Sequence, residues 1–192
     1  LFSFLFSCPE VFAQTDINGD IISTDTTWTK DAGPYVIYQT PTIESGVTLT
    51  IEAGTIIKSD LLEGIDVYGR LVTDGTVGDP VYFTSLYDDS VGGDTDGDGG
   101  LITPNSGDWE GINLFDGGSL EIKNSKIDYA YIGIDSEYGN GLFDSVSIFH
   151  SVLAVYLYES TFNINNLNVD DVSFNALSFY SSSTVTVSNS VI

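Results

Sequence analysis

The sequence of 192 residues contains no methionine, one cysteine, one histidine and only five basic residues. Because no initiating methionine is present, we expect the chain to be a fragment. The shortage of Lys and Arg argues against nucleic acid as a partner, since phosphate binding requires a basic patch. The same shortage argues against binding to an anionic membrane surface.

The single cysteine, Cys8, lies in an apolar N-terminal segment. Residues 1–13 resemble the end of a secretory signal peptide, with cleavage expected after Ala13. A lipoprotein anchored through Cys8 and a short buried strand are alternative interpretations. The apolar run is too short to span a bilayer. We therefore predict a secreted, extracellular or cell-surface protein whose mature part has no transmembrane segment, disulfide or thiolate metal site.

Acidic residues are abundant, and most of them are aspartate. The chain has 28 acidic residues, of which 20 are Asp, and its net charge is −23. Aspartate is a poor helix former, a good turn residue and a ligand for hard cations. The sequence also has 20 glycines, and Thr, Ser, Tyr and Val are common. This composition predicts an all-β protein with many turns.

Short β-rich segments recur along the chain, separated by Gly, Asn, Asp and Ser. Their first strands can each be anchored on one apolar residue: Leu49, Leu71, Leu120, Phe143, Phe162 and Val185. Successive anchors lie 22, 49, 23, 19 and 23 residues apart, which indicates a repeat of about 22 residues with one long insertion. Each group contains three short strands. In the clearest third strand, Val155 and Leu157 are expected to face the core, and Tyr156 and Tyr158 the solvent.

A parallel β-helix explains this period, because each strand can pair with its equivalent in the next coil. The Leu and Asn ladder of a leucine-rich repeat is absent, while a hairpin-based sandwich stays open as an alternative. Coil lengths vary, and this favours the right-handed form over the left-handed one. The anchors predict about five coils.

Four segments resemble the N-terminal region of secreted bacterial right-handed β-helix proteins with the pectin-lyase-like fold. They are Gly46 to Ile57, Val67 to Thr76, Pro80 to Ser85 and Gly107 to Ile112. The resemblance covers roughly residues 20–192. It implies a β-helix that begins with a capping segment, and it is weak for function because the fold hosts lyases, hydrolases, adhesins and binding modules.

We therefore divide the chain into a signal-peptide remnant (residues 1–13), an N-terminal capping segment (14–34) and a β-helix (35–192). Trp28 is expected to pack on the first coil. An acidic loop, residues 86–107, is inserted into the β-helix. The chain stops within an apolar segment, and we expect further coils or domains downstream.

The inserted loop contains Asp94, Asp96 and Asp98 followed by Gly99, which fits the first half of a calcium loop. Carboxylates at alternate positions can surround one hard cation. The second half of an EF-hand is missing, so further ligands would come from Asp88, Asp89 or Asp108. A solvated acidic loop without a cation is the alternative.

Four tyrosines are candidates for a carbohydrate-binding surface. Tyr156 and Tyr158 are expected to be exposed on one strand, and Tyr129 and Tyr131 to lie one coil earlier at a related position. Their rings could stack on sugars. Cross-strand aromatic pairs that only stabilise the sheet are the alternative.

No catalytic residues are predicted. Arg70 more readily covers the coil surface than acts as a base, and His150 has the character of a surface turn residue. The sequence favours a structural, adhesive or glycan-binding module, such as an adhesin of a bacterial cell surface, with bound calcium and an extracellular polysaccharide or cell-surface glycan as partner. The alternative is the N-terminal part of a lyase or glycoside hydrolase acting on acidic polysaccharide.

Overall fold

The fold is known from a computed structural model that describes residues 14–192. The predicted signal or lipid-attachment segment, residues 1–13, lies outside this range. The described part contains one 3-10 turn, Lys30–Ala32, and is otherwise built from strands, which confirms the predicted all-β class. The strands are β1 (Thr15–Asn18), β2 (Ile21–Ile22), β3 (Thr26–Trp28), β4 (Tyr35–Gln39), β5 (Thr42–Ile43), β6 (Thr48–Glu52), β7 (Ile56–Ser59), β8 (Gly64–Val67), β9 (Arg70–Asp74), β10 (Val81–Ser85), β11 (Trp109–Leu114), β12 (Ser119–Asp128), β13 (Ala130–Glu137), β14 (Asn140–Phe149), β15 (Leu153–Tyr158), β16 (Thr161–Asp170), β17 (Asn175–Tyr180) and β18 (Thr184–Ser188).

None of the helical structure found in residues 14–192 has the length and apolar character that crossing a membrane requires.

The strands form a parallel β-solenoid of about eight turns. One face, here called the third face, consists of β2, β5, β8, β11, β13, β15 and β17. The other two faces are separate in the early coils, as β3, β6 and β9 and as β1, β4, β7 and β10. In β12, β14 and β16 these two faces share single strands of ten residues. Coils therefore have the three predicted faces, but the first two strands of the later coils are continuous.

Left-handed backbone conformations mark the corners of the later coils and recur coil after coil. One corner holds Asn124, Ser145, Asn166 and Asn189, the next holds Tyr129, His150 and Asp171, and the last holds Tyr138, Glu159 and Ser181. Each of these residues has a positive φ between 41° and 63°. Asn and Asp tolerate this conformation better than most residues. The polar turn residues of the repeat therefore have a direct role in bending the chain.

Ladders of apolar side chains fill the interior along the solenoid axis. One ladder on the third face runs through Ile65, Ile112, Ile134 and Val155, which are register partners and fully buried. Val155 and Leu157 point inward, and Tyr156 and Tyr158 are half-buried on the outer side, as predicted. Because each coil is too thin to bury this surface alone, stability arises from stacking neighbouring coils.

The number of coils exceeds the predicted five, and one of the coils that were not predicted is formed by residues before position 35. β1, β2 and β3 pair in parallel with β4, β5 and β6. The anchor pattern missed this coil because Thr26, a polar residue, occupies the position equivalent to Leu49. Trp28 is buried and stacks on Tyr35, with ring centroids 4.6 Å apart.

One repeat anchor was assigned two residues too late. Leu120 pairs with Gly141, and Gly141 pairs with Phe162, so Phe143 is not the equivalent of Leu120. The glycine occurs at this inward position for a steric reason. A Cβ atom at Gly141 would lie 2.2 Å from the ring of Phe162, which fills the space that a side chain would need. The third strands keep the predicted alignment, since Ile134, Val155 and Leu177 are register partners.

Replacement of Gly141 by alanine tests this complementarity. We expect Gly141→Ala to lower the free energy of unfolding by about 1–3 kcal/mol, as overpacking of a filled core does. In a Phe162→Leu background the added methyl group has more room, so the same replacement should cost less. Urea denaturation of the four proteins measures this difference, and an equal cost in both backgrounds would contradict the assignment.

Candidate functional site

A groove of about 490 Å³ lies on the outer side of the third face, across β13, β15 and β17. Its walls are mainly aromatic and aliphatic. The lining residues are Tyr131, Ile132, Val152, Leu153, Tyr156, Ser173, Phe174, Ser178 and Tyr180. An open cleft of this size, with apolar walls and a few hydroxyl groups, has the character of a ligand-binding site.

The stacking of coils builds one wall of this groove. Ile132 pairs with Leu153, and Leu153 with Asn175, so the residues just before them also stack. These are Tyr131, Val152 and Phe174. The main chain confirms the continuity, since the N–H of Phe174 donates to the carbonyl oxygen of Val152 at 2.9 Å.

Two tyrosines of adjacent strands form another part of the lining. The rings of Tyr156 on β15 and Tyr180 on β17 lie 5.1 Å apart at a tilt of 32°. Tyr180 is exposed, as are Tyr131 and Phe174. Aromatic faces are therefore accessible on both sides of the buried residues Leu153 and Ser178.

Of the four tyrosines predicted to bind a ligand, the structure places Tyr131 and Tyr156 in the groove. Tyr158 instead makes an edge contact with Tyr138, and Tyr129 stacks on His150 at a corner of the solenoid. The expected relation one coil earlier is wrong, because the register partners of Tyr156 and Tyr158 are Asp135 and Glu137. Sequence reasoning also missed Phe174 and Tyr180, for which the repeat period was an available signal.

His150 lies at a corner, as expected for a turn residue, but it has a defined environment. Its ring stacks on Tyr129 with centroids 5.0 Å apart, and Nδ1 lies 3.4 Å from Oδ1 of Asp128. Nε2 lies 3.8 Å from Oδ2 of Asp171 on the other side. Burial raises the pKa of Asp128, while its hydrogen bond with His150 lowers it. Tyr129 therefore packs within a column of corner residues and does not reach the groove.

The acidic loop joins β10 to β11 and folds back over the outer side of β7. Lys58 on β7 is fully buried beneath it. The Lys58 ammonium donates to the carbonyl oxygens of Asp88 and Gly93, at 2.8 and 2.5 Å. Burial lowers the pKa of Lys58, and the surrounding carboxylates oppose this shift, those of Asp88 and Asp89 most strongly. A buried cation therefore fixes the loop to the solenoid.

Three carboxylates of the loop come together. Oxygen atoms of Asp89, Asp94 and Asp96 all lie within 4.8 Å of one another. Burial raises the pKa of Asp89, and the charge of Asp94 raises it further. The pKa of Asp94 is lowered, most strongly by a hydrogen bond with the carboxyl group of Asp96. The pKa of Asp96 is raised, most strongly by burial. The group therefore concentrates negative charge that a divalent cation would neutralise.

Hydrogen bonds also engage these carboxylates. Asp94 accepts from the N–H groups of Gly97 and Gly99, and Asp96 accepts from that of Asp98. The other three candidate metal ligands accept hydrogen bonds from the loop and from β10. Asp98 accepts hydrogen bonds from the N–H groups of Gly100, Leu101 and Ile102. Asp88 accepts from the hydroxyl groups of Thr84 and Ser90, at 2.7 and 2.5 Å. Asp108 accepts from the hydroxyl group of Ser85 and the N–H of Asn105, at 2.7 and 2.9 Å. Asp88 and Asp108 are buried at the base of the loop and stabilise its attachment.

Comparisons of the chain with protein-family models, curated proteins and solved structures found no match. A functional assignment therefore depends on the geometry of the aromatic groove and the acidic loop.

The role of Lys58 can be tested by replacement with methionine, which has a similar length and no charge. We expect Lys58→Met to lower the free energy of unfolding by about 1–3 kcal/mol, because the carbonyl oxygens of Asp88 and Gly93 lose their donor. The loop should also be cleaved faster by a protease specific for aspartate.

Lys30→Met is the matched control. Lys30 pairs with Asp79 at the surface, and such exposed pairs contribute about 0–1 kcal/mol. Chemical denaturation and limited proteolysis measure the two effects. If the two variants had equal losses in the free energy of unfolding and equal rates of cleavage in the acidic loop, Lys58 would not be the residue that attaches the loop.

Proposed function

We propose that this chain is a secreted or cell-surface β-solenoid module with a structural or adhesive role, which it performs by binding a glycan. In this proposal the solenoid is a right-handed parallel β-helix of the pectin-lyase-like fold, and calcium stabilises its inserted loop. The observation that carries the proposal is the aromatic groove on the third face.

The groove supports glycan binding through its shape and its chemistry. Sugar rings present C–H faces that pack on aromatic rings and hydroxyl groups that need hydrogen-bond partners. Tyr131, Tyr156 and Phe174 supply the rings, while Ser173 and Ser178 supply hydroxyl groups. The groove spans three coils, which in a parallel stack are spaced about 4.8 Å apart. This spacing is close to the length of one hexose in an extended chain, so an oligosaccharide can contact successive coils.

Removal of one aromatic wall tests this role. We expect Tyr156→Ala to weaken binding of the preferred oligosaccharide at least about tenfold, as loss of a central aromatic contact does. A glycan array identifies the oligosaccharide, and calorimetry measures its affinity. The control is Tyr68→Ala, because Tyr68 stacks on Phe115 outside the groove. An equal loss in both variants, or no glycan bound at all, would overturn the proposal.

The proposed calcium site is formed by Asp89, Asp94 and Asp96. Its support is the convergence of the three carboxylates together with one buried atom. Oδ1 of Asp89 is inaccessible to solvent and has no hydrogen-bond partner among residues 14–192. Burying an unpartnered carboxylate oxygen is costly, and a cation would offset that cost.

Calcium should raise the melting temperature of the protein, because an ion that binds only the folded state stabilises it. At about 100 times the dissociation constant the gain is about 2.7 kcal/mol. Asp94→Asn should abolish most of this gain, whereas Asp74→Asn, on an exposed position of β9, should keep it. Thermal unfolding with calcium and with a chelator measures the shift. An unchanged melting temperature at millimolar calcium would contradict the site.

The alternative, an enzyme acting on acidic polysaccharide, is not favoured by the basic residues of the described range. Lys30 pairs with Asp79, and Arg70 and Lys123 both pair with Glu121. Lys58 is buried under the acidic loop, and Lys126 lies over the ring of Tyr82. None of the five lines the aromatic groove. A uronate chain would therefore meet no cation there.

A further inference from the structure

Two carboxylates of β13 lie near the aromatic groove. Asp135 on β13 is the register partner of Tyr156, and Glu137 is the partner of Tyr158. The pKa of the Tyr156 phenol is raised by burial and then by the charge of Asp135, with a smaller effect from Glu137. Asp135 therefore adjoins the groove at Tyr156, and Glu137 lies two residues further along β13, beside Tyr158.

The carboxylate of Asp135 is incompletely paired. The residue is half-buried, and its Oδ1 is inaccessible to solvent and has no hydrogen-bond partner among residues 14–192, so a ligand would meet the other carboxylate oxygen first. The ion pairs found in that range involve Asp79, Glu121, Asp128 and Asp171, and none includes Asp135 or Glu137. Neither carboxylate lines the groove, but Asp135 adjoins it through Tyr156 and carries negative charge that no basic residue among residues 14–192 neutralises.

We propose that the groove recognises amino sugars, with the protonated amine of an oligosaccharide at Asp135 and Glu137 and its rings on Tyr156 and Tyr131. This inference rests on the proposed glycan-binding function and names the class of glycan. An ammonium group forms strong charge-assisted hydrogen bonds with carboxylates and is attracted to aromatic faces. An acidic sugar would be repelled by the same groups.

The ionisation of Asp135 gives the site a defined dependence on pH. Burial raises the pKa of Asp135 to about 6, and the charges of Glu137 on β13 and Glu110 on β11 add to the effect. Above this value the carboxylate is ionised and attracts an amine. Below it the group is neutral, so affinity for a cationic sugar should decrease as the pH falls through about 6.

The experiment compares two oligosaccharides that differ at the amino group: a short β-1,4-linked glucosamine oligomer, whose amine can be protonated, and its neutral N-acetylated counterpart. With the complete chain, we expect the free amine to bind at least about tenfold more tightly. Asp135→Asn should remove most of this preference, and Glu137→Gln should weaken it. Since asparagine has nearly the same shape as aspartate, the fold should be retained, and the melting temperature verifies this.

A matched control separates the groove from the general acidity of the protein. Glu52→Gln removes the same charge from an exposed position of β6, away from the third face. It should leave the preference for the amine unchanged. If Glu52→Gln and Asp135→Asn reduced affinity equally, the binding would reflect net charge alone and the inference would be overturned.

The glucosamine oligomer can be N-trimethylated, which makes its charge independent of pH. A change in its affinity with pH therefore reports the ionisation of the protein and not that of the sugar. Its affinity should fall between about pH 7 and about pH 5 in the wild type, and Asp135→Asn should show a smaller fall. An affinity that is constant with pH in the wild type would contradict the role of Asp135.

The remaining outcomes distinguish this inference from the function on which it rests. Equal or tighter binding of the N-acetylated oligomer would keep the glycan-binding function and overturn the preference for amines. Failure of every oligosaccharide to bind would overturn both. Tighter binding of a lysine-rich peptide of equal charge would overturn the assignment to sugars.

Discussion

Parallel pairing between equivalent strands of successive coils is the constraint on which the rest of this structure depends. Each interior strand satisfies its backbone N–H and C=O groups with the coil before it and the coil after it. The pairing fixes which side chain stacks on which, so the apolar ladders are consequences of the register. It also requires corners that turn the chain without breaking the stack. Columns of left-handed residues meet this requirement, and one column places His150 between Tyr129 and Asp171.

The same pairing leaves the outward positions free for other roles. Because inward side chains form the core, the outward row of the third face can vary from coil to coil. Across β11, β13 and β15 it presents Asn113, Asp135 and Tyr156, which are register partners. Polar, acidic and aromatic groups thus follow one another at a fixed spacing. The aromatic groove likewise takes its lining from β13, β15 and β17 and the segments before them, and no single strand contains it.

The acidic residues have different roles in different parts of the molecule. Under the acidic loop, Lys58 compensates part of the charge and attaches the loop through backbone carbonyl oxygens. Asp88 and Asp108 serve as hydrogen-bond acceptors at the base of that loop. Asp89, Asp94 and Asp96 remain close to one another. At the groove, Asp135 and Glu137 have no compensating basic residue among residues 14–192, and this is why the proposed ligand is cationic.

The sequence by itself determined the fold class, because a repeat of alternating strands has few ways to bury its apolar side other than by stacking. The inward positions of Val155 and Leu157 and the alignment of the third strands followed from that periodicity. Predictions from local sequence patterns were wrong where contacts with a neighbouring coil determine which residue fits a position. Gly141 occupies an anchor position because the ring of Phe162 fills its space, and Thr26 hid the first coil. Only the tertiary structure decided which outward groups meet. It replaced Tyr129 and Tyr158 by Phe174 and Tyr180 in the groove, and it added Asp135 beside Tyr156, because these contacts join residues about 21 positions or more apart.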